Sequence, residues 1–179
     1  MNDRIESCTN NETAPWMNDR IADFSASGGI SYEEYLDQYG TLTYTNVGVS
    51  MLPLLRQGKD LFTVEKKGKE RCKAGDVVLY RRPPHAYVLH RIIQVRTEDY
   101  VILGDNCISK EYGITDEDII GIMTAFVRNG KAHHVTDPAY RIYSAIWMHT
   151  VGLRIFLKKA KYYAGRAIRK VISAKQNQE

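Results

Sequence analysis

The chain is poor in cysteine. Cys8, Cys72 and Cys107 stand far apart among 179 residues and form no Cys-x-x-Cys pair. That argues against a disulfide framework and against a zinc site. Long apolar runs are missing as well. The nearest approach, residues 142–157, is too short to span a bilayer and contains His149 and Arg154. The first forty residues carry no run resembling a secretory signal. A cytoplasmic or peripheral-membrane location is therefore expected. Acids vanish at the far end: from Arg154 to Lys175 there are eight Lys or Arg and no Asp or Glu. Among the first forty residues acids outnumber bases, so the modest net charge of +4 hides an asymmetry. A basic tail of this kind suits anionic lipid, nucleic acid or an acidic partner. Nothing in the chain supplies base readout, so no nucleic acid is expected. No metal or other cofactor is expected either.

What is present divides into three parts. Residues 1–40 are polar and mixed. The tetrapeptide Asn-Asp-Arg-Ile occurs there twice, at 2–5 and 18–21, which is too little to define a repeat architecture. Residues 25–29 read as a linker. Ser31-Tyr32-Glu33-Glu34 has the form of a capping box opening a short helix that Gly40 closes.

From 41 to 135 the pattern is that of short strands. The candidates are 41–49, 60–66, 76–82, 87–96, 100–103 and 119–128. Turn residues separate them, and Asn129-Gly130 is a strong hairpin signal. Strands without alternating helices predict a mainly β fold with an antiparallel sheet or barrel. Beyond Asp137-Pro138, residues 138–175 change to helical spacing. Ile142, Ile146, Leu153, Phe156, Ala160 and Ile168 share one side, and Arg154, Lys158, Lys161 and Arg169 the other. Two roles fit this basic amphipathic segment. It packs on the β domain, or it lies in an anionic membrane interface with Trp147, Tyr162 and Tyr163 as anchors.

Four short segments carry the candidate chemistry. Gly48-Val49-Ser50-Met51-Leu52-Pro53 places a serine where a strand gives way to a turn. Gly75-Asp76-Val77-Val78-Leu79-Tyr80 and Val88-Leu89-His90-Arg91-Ile92-Ile93 follow, the second with a histidine inside an apolar strand. Gly104-Asp105-Asn106 comes next, then Ile119-Ile120-Gly121. Alternation puts His90 on the face of Val88 and Ile92, with Leu89, Arg91 and Ile93 opposite. Read alone, Ser50 suits a turn serine bonding its own backbone as well as a nucleophile.

In order and spacing these segments resemble the signal peptidase branch of the serine proteases, the group that also holds the self-cleaving repressors. The resemblance covers about 45–131. It implies an antiparallel β peptidase domain with flanking helices, and it implies Ser50 as nucleophile. Most bacterial members have a lysine where this chain has His90, so it is similar to the Ser–His type of endoplasmic-reticulum and sporulation signal peptidases. The base would then be a histidine, whose ordinary pKa lies near neutrality. The resemblance points to an acid in or after Gly104-Asp105-Asn106 as the orienter of the base. Asp105 is the first choice and Glu111 the second, because Lys110-Glu111 stands where the family often has two aspartates.

Gly48, Met51 and Asn106 are the implied oxyanion and substrate-side residues. The Ser50 N–H would serve the oxyanion, and Gly48 cannot add the hydroxyl many bacterial relatives use. The implied activity is endoproteolysis of a leader or signal-like peptide after a small residue. Two alternatives stay open: a non-catalytic peptide-binding pseudo-peptidase, and a regulator of the self-cleaving repressor kind.

Overall fold

A computed structural model describes residues 30–83 and 86–176. The tetrapeptide repeat, the 25–29 linker, Cys8 and Pro84 lie outside the described residues. Helix α1 spans Tyr32–Tyr39. Eight strands follow: β1 Thr41–Thr45, β2 Leu61–Lys66, β3 Val77–Arg82, β4 Ala86–Val95, β5 Tyr100–Leu103, β6 Glu111–Ile114, β7 Ile119–Arg128 and β8 Lys131–His134. Helices α2 (Pro138–His149) and α3 (Val151–Gln176) complete the described chain. The capping box forms as the residue types predict. Ser31 Oγ accepts from the Glu34 N–H, the Glu34 carboxylate accepts from the Ser31 N–H, and Gly40 closes the helix at φ 73°.

Every strand pairing is antiparallel, in the order β1-β2-β7-β3-β4-β5-β6, with β8 on β7. The β7–β8 hairpin turns at Asn129 and Gly130, both at positive φ. Irregular registers in β2, β3, β4 and β5 bend the sheet. It therefore covers two separate cores. One gathers Leu42, Met51, Leu55, Phe62, Leu79 and Leu89. The other gathers Val78, Tyr80, Val88, Ile92, Ile102 and Ile119. Alternation explains the split: successive residues of β3 and β4 enter opposite cores. Residues 77–80 are buried without a break because both faces are covered.

Two strand expectations need correction. The first strand stops at Thr45, not Val49. The Asn46 N–H still donates to the Asp60 carbonyl, but its side-chain amide turns to the Gly48 carbonyl and the loop begins there. Ser50 thus sits in a loop beyond the strand. Strands β6 and β8 were not anticipated individually.

The helical segment is turned the other way round from the simple amphipathic expectation. Ile142, Ile146, Leu153 and Phe156 are 62, 55, 58 and 67% exposed. The face turned to the β domain carries Tyr140, Tyr143, Ser144, Trp147, Arg154 and Lys158, which bond strand and loop residues there. Trp147, expected as an interfacial anchor, stacks on Tyr143 and donates to the Asp105 carbonyl.

Candidate active site

The loop from β1 to β2 carries Ser50 and is tied from several sides. Asn46 bonds the Gly48 and Leu55 carbonyls through its amide nitrogen, and its own carbonyl accepts from Gly58. Gly48 is buried at φ 87°, a left-handed conformation that costs a glycine little. The fully buried Asp60 carboxylate gathers the Arg56 backbone N–H and guanidinium and the Arg128 Nε. Arg128 also donates to the carbonyls of Pro53 and Leu54. Met51, expected beside the site, is fully buried in the core below it. Ser50 itself is partly exposed. Its backbone N–H has no acceptor among the described residues.

Across from this loop, β4 presents His90 from the same face as Val88 and Ile92. The imidazole is nearly buried. Its Nδ1 lies 2.9 Å from Glu111 Oε1, and Tyr80 Oη lies 3.4 Å from the same nitrogen. Its Nε2 points to Gly104. A Cβ on Gly104 would stand 2.8 Å from His90 Nε2, 2.8 Å from Cys107 Sγ and 2.9 Å from the Ser50 carbonyl oxygen. Gly104 is therefore the point where the histidine and the serine loop converge, and only a residue without a side chain lets them. The Ser50 hydroxyl and His90 make no hydrogen bond to each other.

The acid at His90 is Glu111, the second choice from sequence. Asp105, the first choice, turns away from the base. Its carboxylate forms a two-pronged pair with Arg91, Nε to Oδ1 and Nη2 to Oδ2 both at 2.8 Å, and accepts from Tyr143 Oη at 2.9 Å. Both side chains of that pair are 1% exposed. The reason is strand parity. Arg91 follows His90 in β4 and so points to the opposite face, and Asp105, in the turn after β5, pairs with it there. Glu111 is delivered by β6, whose register sets it opposite Ile102; Ile102 in turn is opposite Ile92, two residues from His90.

Glu111 is held by more than the histidine. Tyr80 Oη donates to its Oε2 at 2.8 Å, and Arg82 binds both oxygens, Nε to Oε2 at 2.9 Å and Nη2 to Oε1 at 2.5 Å. Burial alone would raise this carboxyl, but His90 and Arg82 push it down to about 2 from an ordinary 4.5. A depressed carboxyl contributes stability that is present above pH 4.5 and lost as pH falls toward 2. Glu111→Gln is thus expected to lower stability by about 2–3 kcal/mol at pH 7 and to flatten the acid limb of the unfolding curve. Urea unfolding of both proteins at pH 7 and pH 3 checks this; parallel pH dependences would refute it.

An ionised Glu111 can only accept hydrogen bonds, which fixes the imidazole's tautomer. Nδ1 carries the proton, and in the neutral ring Nε2 keeps its lone pair facing Gly104 and the serine loop. Tyr80 and Arg82 escaped the sequence reading. The signal was available in the spacing, because Val78 pairs with His90 and residues two and four further along β3 share that face.

Asn106, expected on the substrate side, is a brace instead. Its N–H donates to the Ser50 carbonyl at 2.7 Å and its Nδ2 to the Val49 carbonyl at 3.1 Å. Lys158 Nζ donates to its carbonyl and side-chain oxygens at 2.5 and 2.6 Å. Arg154 and Trp147 both donate to the Asp105 carbonyl. Helices α2 and α3 thereby hold the loop that holds Ser50.

An apolar pocket of about 60 Å³ opens beside Ser50, lined by Tyr32, Tyr44, Val47, Phe62, Leu79 and Leu89 among others. The described residues contain no group of His, Cys, Asp and Glu arranged to hold a metal. Comparison of the sequence with known protein families and with curated proteins returned no match.

Proposed function

We propose that this protein is a serine endopeptidase of the signal-peptidase type, with Ser50 as nucleophile, His90 as general base and Glu111 as the group that orients the base. The observation carrying this reading is the His90 Nδ1–Glu111 contact at 2.9 Å together with Nε2 turned to the Ser50 loop at Gly104. A bare Nε2 takes the hydroxyl proton as Ser50 Oγ bonds to the scissile carbonyl carbon. The carbonyl oxygen gains the negative charge and is met by the Ser50 N–H. His90, now protonated, returns that proton to the departing amine, and the C–N bond breaks. Water then repeats the sequence on the acyl-enzyme, with His90 again taking a proton. Glu111 stabilises the imidazolium and keeps its proton on Nδ1.

The pocket beside Ser50 suits a small apolar side chain in the segment before the cut. A precursor with a leader-like stretch is the substrate class this implies. The neutralising Arg82 on Glu111 bears on rate. A carboxylate already paired with a guanidinium supports an imidazolium less than a lone carboxylate would.

The test is a fluorophosphonate probe followed by peptide mapping. An adduct on Ser50, formed by the wild type and absent from His90→Ala, is the expected result. An unlabelled Ser50 in protein that cleaves peptides would refute the assignment.

A further inference from the structure

We infer that the outward face of α2 and α3 docks on the surface of a bilayer bearing anionic headgroups, lying in its interface without crossing it. Ile142, Ile146, Leu153, Phe156, Leu157 and Tyr163 are 62, 55, 58, 67, 55 and 64% exposed. Steps of three, four and seven residues set them on one continuous side, because the two helices join almost without a break at Thr150, whose N–H bonds the Ile146 carbonyl and whose carbonyl accepts from Arg154. A lone exposed apolar residue needs no explanation, but a stripe of six large ones marks a surface that is covered in use.

The β domain does not cover it. The opposite side of the same helices is already taken by Tyr140, Tyr143, Trp147, Arg154 and Lys158 in their bonds to the domain. A helix that only packed a core would be turned the other way.

Charge selects the occupant. Between 154 and 175 the chain has eight Lys or Arg and no acid, and only Arg154 and Lys158 of the described ones are turned to the domain. Two of them, Lys159 and Lys161, are exposed beside the apolar stripe. Apolar side chains with flanking cations and no anions match an interface in which acyl chains lie beneath anionic headgroups. Each cation near such a surface strengthens partitioning by roughly fivefold. Among the described residues no helix is long and apolar enough to cross a membrane, so the segment lies along the surface.

The test uses the full chain and does not depend on its catalytic reading. Protein is sedimented with vesicles of phosphatidylcholine alone and of phosphatidylcholine with phosphatidylglycerol, from low to high salt. Strong pelleting on the anionic vesicles at low salt, weakened at least tenfold on the neutral ones and reduced by salt, is expected. Phe156→Glu with Leu153→Glu, both on exposed positions, is expected to reduce binding at least a hundredfold while thermal unfolding stays unchanged. Lys159→Glu with Lys161→Glu should lose about twenty-fivefold or more on anionic vesicles and little on neutral ones.

The inference is overturned by no pelleting at any salt, by pelleting indifferent to Phe156→Glu with Leu153→Glu, or by a vesicle-independent dimer abolished by that pair. The last would give the face to a second copy of the chain. Preferential binding to duplex nucleic acid over anionic vesicles would also overturn it.

Discussion

Ser50→Ala is expected to cut peptide cleavage by about 10⁴-fold or more, leaving only what binding and oxyanion stabilisation provide. The methyl group keeps the loop intact, since the bonds that hold it run through the Asn46, Asp60 and Asn106 side chains and the Ser50 carbonyl, not the hydroxyl. His90→Ala is expected to cost about as much, because a nucleophile and its base act as one unit. The double variant should then be little worse than either single one. A library of leader-like peptides with small apolar residues before the cut, read by mass spectrometry, measures all of these. Cleavage at the wild-type rate by Ser50→Ala would end the serine mechanism. Multiplying losses in the double variant would mean that the two residues do not act on one step.

Asp105→Ala is expected to act on stability and not on the base. The substitution leaves Arg91, nine-tenths and more buried, without its carboxylate, though Gly75, Tyr140 and Ser144 still accept from it. Removing one member of a buried pair costs about 3–5 kcal/mol. For a chain of this size that is a fall of roughly 10 °C in melting temperature. Replacing both partners, as in Arg91→Met with Asp105→Leu, should recover much of the loss, because no lone charge is then buried. Thermal unfolding and kcat on the folded fraction separate the two roles. A normally stable Asp105→Ala with a thousandfold loss of kcat would mean that Asp105 serves catalysis after all.

The mainly antiparallel architecture was legible because alternation and turn residues are local signals. The β3 and β4 patterns announced two faces, and Asn129-Gly130 announced its hairpin. The acid at the base was not legible in the same way. Asp105 is the middle residue of the Gly-Asp-Asn turn, which favoured it, but its carboxylate is taken by the buried Arg91. Choosing Glu111 required knowing where β6 pairs with β5, a register no local pattern states. The end of β1 was misread for a related reason. The apolar residues from 47 to 49 look strand-like, but the Asn46 side-chain amide turns to the Gly48 carbonyl and the loop begins there. The direction of α2 and α3 was hidden too. Periodicity gives a helix two faces and does not say which one the protein takes. Here Tyr140, Tyr143, Trp147 and the charged ends of Arg154 and Lys158 supply the inward contacts, while the more apolar stripe is left outside.

The brace from Lys158 to Asn106 has a consequence for the order of events during synthesis. Every strand is made before α2 and α3, so the sheet, His90 and Glu111 can all be in place while the Ser50 loop still lacks its clamp. Arg91 likewise waits for Tyr140 and Ser144, and the Asp105 carbonyl for Trp147 and Arg154. The nascent chain thus carries Ser50 well before the segment that braces its loop has emerged. Until those helices dock, the Asn106 side of the Ser50 loop goes without the Lys158 brace. Trimming those helices to obtain a smaller β domain removes the fastening along with them.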